Sequence, residues 1–597
     1  MKIVPNQPFF EAVLDGVERA IHKLLQPFMR IFTCLLILAF SVPGFSQQTI
    51  GLFKNDSTSL NGYTLFTPNG STHSYLIDNC GELIHDWDAG ELPGMVGYLQ
   101  ENGDLVRLRK DTAGTFRAGG WGGGIDRFDW NGNRIWHMDL YGQNWQQHHD
   151  VEVMPNGNIL VIAWELFSLQ EAVDAGLDTT QVFINEIWSE MVLEIEPLPD
   201  SGGTIVWEWH AWDHVVQDFD STKANYGVVS QNADKIDINY LFPIPDPDWL
   251  HFNSIAYNEE LDQIMLSVRT FSELWIIDHS TSTSQAASDQ GGRSGKGGGL
   301  IYRWGNSAAY KRGNIFNQEL YGQHDPIWIP KGYRDEGKIL VFNNGFQRPQ
   351  GNYSTVQIID PPYLADSSGY ELNSPAPYAP AKASWTYPNK ADTNFFSFGI
   401  SGSQRLSNGN TLVTEGFEGR IFELDSKDRI VWEYINPLAK DVPMNQGDTA
   451  KFNSVFRAYR YDENFPAFAG RKLDPQGPLE ANPLPSTCMI YTDKDTTQQD
   501  TTQMGLTTPY LLATETGVKP FPNPFKDQLN LRFADWEGEL SINLLNISGQ
   551  IVQHWDVKTS GNETLPLPVN EVPEGVYLLE VADHNGQVAR FRLLRSR

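Results

Sequence analysis

Thirteen histidines occur in the 597 residues, and three of them open the same kind of segment. His149 begins HDVEVMPNGNILVIAWE, His251 begins HFNSIAYNEELDQIMLSVR and His324 begins HDPIWIPKGYRDEGKILVF. Matching segments open at Met95 (MVGYLQENGDLVRLR), at Ser401 (SGSQRLSNGNTLVTEG) and, through the match of KFNSV to HFNSI, at Lys451. A neutral imidazole is both a nucleophile and a proton carrier near neutral pH. Arg269 ends the apolar pattern IMLSVR, where a guanidinium without a partner is costly, and a small anion bound bidentately is the partner its planar fork suits. Histidines recurring at one repeat position and an arginine in an apolar run point to a common purpose, with an anion as the partner that suits the arginine.

The elements that would bring these residues together are strands. Short runs rich in Val, Ile, Trp and Tyr, punctuated by Gly, Asn, Pro and Asp, recur from Tyr63 to about Arg471, and each repeat holds four of them. Helical periodicity is confined to Ser168–Ala175, an insertion between strands. The fold class expected is all-β, a six-bladed β-propeller followed by a small C-terminal β-sandwich. The sixth unit is split: YTLFTP, SYLID and ELIHDW near the N-terminus supply three strands, and NSVFRAYRY from Asn453 supplies the fourth. Such closure hides the edge strands, and it favours a propeller over a β-sandwich or a string of separate β domains. The first strand of each blade lines the central channel, so Met95, His149, His251, His324, Ser401 and Lys451 are expected near the axis.

Composition limits the partners. With 44 basic against 74 acidic residues, a net charge of -30 and a pI near 4.8, no nucleic-acid partner is expected. No membrane span is expected either. Ile31 to Val42 is apolar but too short to cross, and with Pro43 to Gln47 behind it reads as a signal peptide over residues 1–46, with the true start at Met29 an option. Cys34 falls inside that run. Cys80 and Cys488 remain in an exported chain, and the sequence alone does not place them within bonding distance. Residues 47–472 form the propeller, 473–518 a linker rich in Pro, Thr and Gln, and 519–597 the sandwich.

The ordered motifs HHD (His148 to Asp150), DWLHFNS (Asp248 to Ser254), Arg269, QHDP (Gln323 to Pro326), FNNGFQRP (Phe342 to Pro349), SGSQRLSNGNTL and FRAYRY resemble those of the bacterial arylsulfate sulfotransferases. That resemblance implies a periplasmic six-bladed propeller that moves a sulfuryl group from an aryl sulfate to a phenolic acceptor. It implies a ping-pong route through a sulfohistidine, with no nucleotide donor PAPS and no cofactor or metal. Residue by residue, it puts His324 in the place of the nucleophile. His149, His251, Asn253 and Arg269 bind the sulfate or assist proton transfer, with His148 competing for the role of His149. Ser401, Arg348 and Lys451 are further substrate-binding candidates. Tyr98, Trp121 and Trp145 are candidate ring faces at the mouth, and the loops Phe167 to Ile187 and Val215 to Asp237 would select the acceptor. The end of the chain, with PFPNPF, NISGQIV and PEGVYLLEV, resembles type IX secretion sorting domains, which implies export through the periplasm to the cell surface or medium by that machinery. Two rival readings remain: a metal-dependent propeller hydrolase, against which Arg269 argues because it would repel a cation, and a non-catalytic secreted binding propeller.

Overall fold

The computed structural model describes residues 48–181, 184–240, 246–486, 488–491 and most of 518–595. The signal-peptide reading of residues 1–46 and most of the linker therefore lie outside the described residues. The chain divides into two compact units, residues 1–498 and 499–597.

In the first unit, six antiparallel sheets of at least four strands follow one another. Each begins with an inner strand: Pro93–Leu99, Trp145–Val153, Phe252–Asn258, His324–Trp328, Gly402–Arg405 and Val455–Asp462. Each inner strand packs against the next, and Val455–Asp462 packs back on Pro93–Leu99, so the ring closes. As the split repeat requires, Val455–Asp462 pairs with Gly62–Pro68, joining the two ends of the unit in one sheet. Between neighbouring sheets lie clusters of buried side chains, one in each of the six gaps. Alternating strands send every second residue into these gaps, and each Leu, Ile or Val buried there contributes about 1.5–3 kcal/mol.

Two features go beyond the sequence reading. Gly51–Asn55 adds a fifth strand to the outer edge of the sheet that starts at Gly402. The stretch read as the start of a linker is a strap: the Leu83 N–H donates to the Gly477 carbonyl and the Gln476 N–H donates to the Leu83 carbonyl, both at 2.8 Å, and a Cys80–Cys488 disulfide pins the strap's end. An outer edge strand is thereby covered, which removes a site for unwanted strand pairing. The insertion helix is Leu169–Asp174, started by a Ser168 and Glu171 capping box.

The second unit is built of a three-stranded and a four-stranded sheet. They enclose a core that includes Phe525, Leu531, Trp536, Ile542, Leu579 and Leu593. No helix among the described residues is long and apolar enough to cross a membrane.

The backbone repeats a feature at the axis. Met95, His149, His251 and Ser401 have φ of 111°, 51°, 53° and 89°, and the residues just after His324 and Lys451, Asp325 and Phe452, have 56° and 57°. Non-glycine residues in this region are uncommon, yet one lies within or near the start of each inner strand. In several sheets the ladder register also shifts nearby, the mark of a β-bulge that re-aims a side chain.

Candidate active site

His324 opens its inner strand and is 2% exposed. Its Nδ1 lies 2.7 Å from Asn344 Oδ1, and Asn344 Nδ2 donates to the carbonyls of Ser397 at 2.8 Å and Ile400 at 2.9 Å. Those two bonds fix which end of the amide is the oxygen, so His324 Nδ1 must carry the proton. Nε2 is then the lone-pair nitrogen, and the Ile400 N–H donates to it at 3.1 Å. Burial, Arg269, Arg457 and His251 together hold the imidazole well below its usual pKa, against the opposing bond to Asn344. A neutral ring of fixed tautomer results. The donor that caps it comes from a strained segment, since Ile400 is β-branched and has φ 50°.

His251 turns its Nδ1 to Asp248 Oδ2 at 2.5 Å, while Asp248 Oδ1 accepts from Trp164 Nε1 at 3.0 Å. The carboxylate sets the Nδ1–H tautomer, leaving Nε2 without a partner among the described residues. His149 packs edge to face on His251, with ring centroids 4.7 Å apart. Its own Nδ1 meets His148 Nδ1 at 2.8 Å, and His148 Nε2 meets Glu190 Oε2 at 2.7 Å. The two rings are in contact: His149 faces His251 and His148 stands behind it, stacked on Trp164 at 4.1 Å. The loop bearing Gly119 and Gly120 covers this group. A β carbon on Gly120, where φ is 79°, would fall 1.9–2.1 Å from three atoms of the His149 ring.

Arg269 follows the second strand of the His251 sheet, and its N–H donates to the His251 carbonyl at 3.2 Å. Burial lowers its pKa, opposed by Asp248. Among the described residues its guanidinium has no hydrogen-bond or ion-pair partner, and a β carbon on Gly322, two residues before His324, would sit 4.0 Å from its Nε.

The remaining expectations divide. Asn253 is buried beside the group, but its Nδ2 donates to the Gln323 carbonyl at 2.8 Å, and only Oδ1 is left without a partner. Ser401 is buried with its hydroxyl spent on Ser397 and the Gly416 N–H. Arg348 lies between the rings of Tyr321 and Tyr353, and no contact ties it to the histidines. Lys451 is exposed; the strand that follows it, Val455–Asp462, carries Arg457, which meets the inner strands of other sheets. Tyr98 does not present a ring at the mouth, because its hydroxyl donates to Asp150 at 2.6 Å. Trp121 and Trp145 are half-buried. Of the two loops, the one from Phe167 stacks on Trp212 at 4.0 Å, and the other is closed by a parallel pairing of Val215–Val216 with Ile236–Asp237.

Sequence reasoning missed the acidic and amide partners. Arg457 donates to Asp150 at 2.6 Å, pairs with Asp325 at 3.2 Å and donates to the Asn253 carbonyl at 2.9 Å. One guanidinium thus fastens four inner strands under the site. Burial, partly offset by Arg457, raises Asp325 to about 6. The signal was present: an Asp follows both His149 and His324, and Asp248 precedes His251 by three. Exposed aromatic rings border the His324 side. Phe398 (47% exposed) stacks on Phe417 (36%) at 3.9 Å, with Phe346 at 6.4 Å. Phe346 and Phe398 each lie two residues from a partner of His324, Asn344 and Ile400. Among the described residues no group of three or more His, Cys, Asp or Glu side chains is arranged to hold a metal ion.

Comparison with known proteins gives two family matches. The model described as arylsulfotransferase (ASST) matches residues 53–445, and that described as secretion system C-terminal sorting domain matches residues 519–593. No curated protein matches the chain. Similar solved structures include a protein of unknown function from Bacteroides caccae, 11% identical over 67% of this chain and 99% of that one, with a TM-score of 0.37. A streptogramin B lyase is 12% identical over 70% and 95%, TM-score 0.32. A virginiamycin B lyase from Staphylococcus aureus is 9% identical over 66% and 89%, TM-score 0.28.

Proposed function

The chain belongs to the arylsulfotransferase family and is an aryl-sulfate sulfotransferase with a C-terminal secretion sorting domain, and we propose that it works by a ping-pong route in which His324 Nε2 carries the sulfuryl group. The observation that carries this reading is the His324 tautomer, a neutral imidazole whose lone pair sits on Nε2. Attack by Nε2 on sulfur forms the N–S bond as the S–O bond to the donor phenol breaks, and the acceptor oxygen later breaks the N–S bond. Each half-reaction is easier than one direct displacement.

Arg269 holds the sulfuryl oxygens, with the His251 ring, oriented by Asp248, beside it. The guanidinium has no hydrogen-bond or ion-pair partner among the described residues, and fixed donors aimed at oxygens that gain charge in the transition state lower the barrier. The Ile400 N–H, which caps Nε2 at rest, is placed to turn to a sulfuryl oxygen once Nε2 is bonded. The aryl rings rest against Phe346, Phe398 and Phe417, an apolar shelf next to the nucleophile. Ser401 and Asn253 shape the floor. Aryl sulfates and phenols are the substrates, and the sorting domain directs the enzyme out of the cell by way of the periplasm.

The test is turnover of 4-nitrophenyl sulfate with and without phenol. We expect nitrophenol release that depends on phenol, a stoichiometric sulfated His324 in protein quenched without acceptor and read by mass spectrometry, and neither in His324→Ala. Undiminished transfer by His324→Ala would remove this residue from the role, and release to water alone would make the enzyme a sulfatase.

A further inference from the structure

Behind His149 lies a chain of buried groups that the steps above leave unused. Glu190, His148 and His149 are 0%, 0% and 3% exposed, and their contacts run Glu190 Oε2 to His148 Nε2 at 2.7 Å, then His148 Nδ1 to His149 Nδ1 at 2.8 Å. Each contact needs one proton between its two atoms, because paired lone pairs or paired N–H groups repel. Glu190 Oε1 accepts from the Phe252 N–H at 2.7 Å, so the carboxyl is held from a second sheet and cannot swing away. At the other end His149 Nε2 has no partner among the described residues.

Only two arrangements keep every ring neutral. In one, Glu190 carries a proton that it donates to His148 Nε2, His148 Nδ1–H donates to His149, and His149 presents Nε2–H. In the other, each proton has moved one place along, Glu190 is a carboxylate accepting from His148 Nε2–H and Phe252 N–H, and His149 presents a lone pair. The pair differs by one proton, delivered at His149 Nε2. Burial raises Glu190 well above the usual carboxyl range, helped by Asp248, and lowers both imidazoles, helped by His251 and, for His149, by His148, His324 and Arg457. These directions favour the arrangement in which Glu190 holds the proton.

Resting on the ping-pong reading, we propose that Glu190, His148 and His149 form a proton relay that protonates the departing phenolate in the first half-reaction and takes the same proton back from the acceptor phenol in the second. As the S–O bond breaks and the N–S bond to His324 forms, the phenolate oxygen takes the His149 Nε2 proton, two protons shift along the chain and Glu190 is left as a carboxylate. In the second half the phenol O–H gives its proton to His149 Nε2, the shifts reverse, Glu190 is protonated and the phenolate oxygen takes the sulfuryl group. No proton from solvent is needed, and the covered site keeps its charge balanced throughout. Glu190 and His148 act through His149, so they are positioning and relay residues, with His149 the one that touches substrate.

The test compares donors whose phenols differ in acidity. In Glu190→Gln the side-chain carbonyl still accepts from Phe252 and the amide still donates to His148, but no proton can be released. Pre-steady-state transfer from 4-methylphenyl sulfate, whose phenolate needs the proton, is expected to fall about a hundredfold or more. Transfer from 4-nitrophenyl sulfate, whose phenolate leaves unaided, is expected to fall less than about tenfold. Equal losses for the two donors, or none, would overturn the relay. A second measurement on the wild type holds even if the variant does not fold. Rates with 4-methylphenyl sulfate in mixtures of H2O and D2O should bow with deuterium fraction, as several protons move together, and a straight line would mean a single proton. Wild-type transfer that survives in His324→Ala would instead sink the ping-pong reading, a result separate from the donor comparison.

Discussion

The two nitrogens of His324 have different jobs because Asn344 decides between them. Its amide is locked by two carbonyls, so it presents oxygen to Nδ1 and leaves Nε2 with the lone pair. Asn344→Ala should reduce kcat by about 10–100-fold, the usual cost of losing the partner that sets a ring's tautomer and orientation, with the melting temperature as control for fold. The same environment predicts pH behaviour. The imidazolium is disfavoured by burial and by Arg269 before any other group, which puts the pKa of His324 well below 6.5. A lowered pKa keeps the ring neutral as the pH falls through 6.5, so on the proposed route the acid limb of kcat/KM for 4-nitrophenyl sulfate should lie below that value. A limb that coincides with the ordinary histidine pKa would show that the ring is not so enclosed.

At the scale of elements, the inner strands share a left-handed residue at or beside the position that opens the repeat. This bulge explains why residues spaced for a regular strand turn their side chains to one point. The loop over His149 is the complementary part. Gly120→Ala would drive a β carbon into the imidazole, and we expect kcat to drop at least as far as in Asn344→Ala. At Gly119 a β carbon meets only His251 Cε1 at 3.5 Å, so Gly119→Ala should cost much less; equal effects would mean the loop acts by general disruption. The strap is an element of stability. The Cys80–Cys488 bridge joins positions 408 residues apart, and its loss in Cys488→Ser should lower stability by about 2–4 kcal/mol, seen as a lower melting temperature that reducing agent reproduces in the wild type and does not change in the variant.

At the scale of the whole molecule, the first unit holds every residue of the site and the second matches a secretion sorting domain. Removing residues 519–597 is expected to leave kcat and KM of purified enzyme within about twofold while abolishing export from the producing cell; a lost activity would tie the second unit to catalysis. The net charge of -30 acts on solubility and non-specific association. At the axis Arg457 is paired with Asp150 and Asp325, and Arg269 is a cation with no ion-pair partner among the described residues.

Much of this was legible in the amino-acid order. The repeat fixed the sheets and the split closing unit, because alternating apolar residues and turn signals act within a few positions of one another. It also placed His149, His251 and His324 in one phase, and the apolar setting of Arg269 marked it as a residue seeking an anion. What only the tertiary structure decided is which partner each of these groups takes. Ile400 reaches His324 across 76 positions, Glu190 reaches His148 across 42 and Arg457 reaches Asp150 across 307. Such contacts join different strands and sheets, and the sequence carries no spacing rule for them. Lys451 is exposed and precedes the strand Val455–Asp462, whose Arg457 is the cation that meets Asp150 and Asp325, a choice of partners that no local pattern announces.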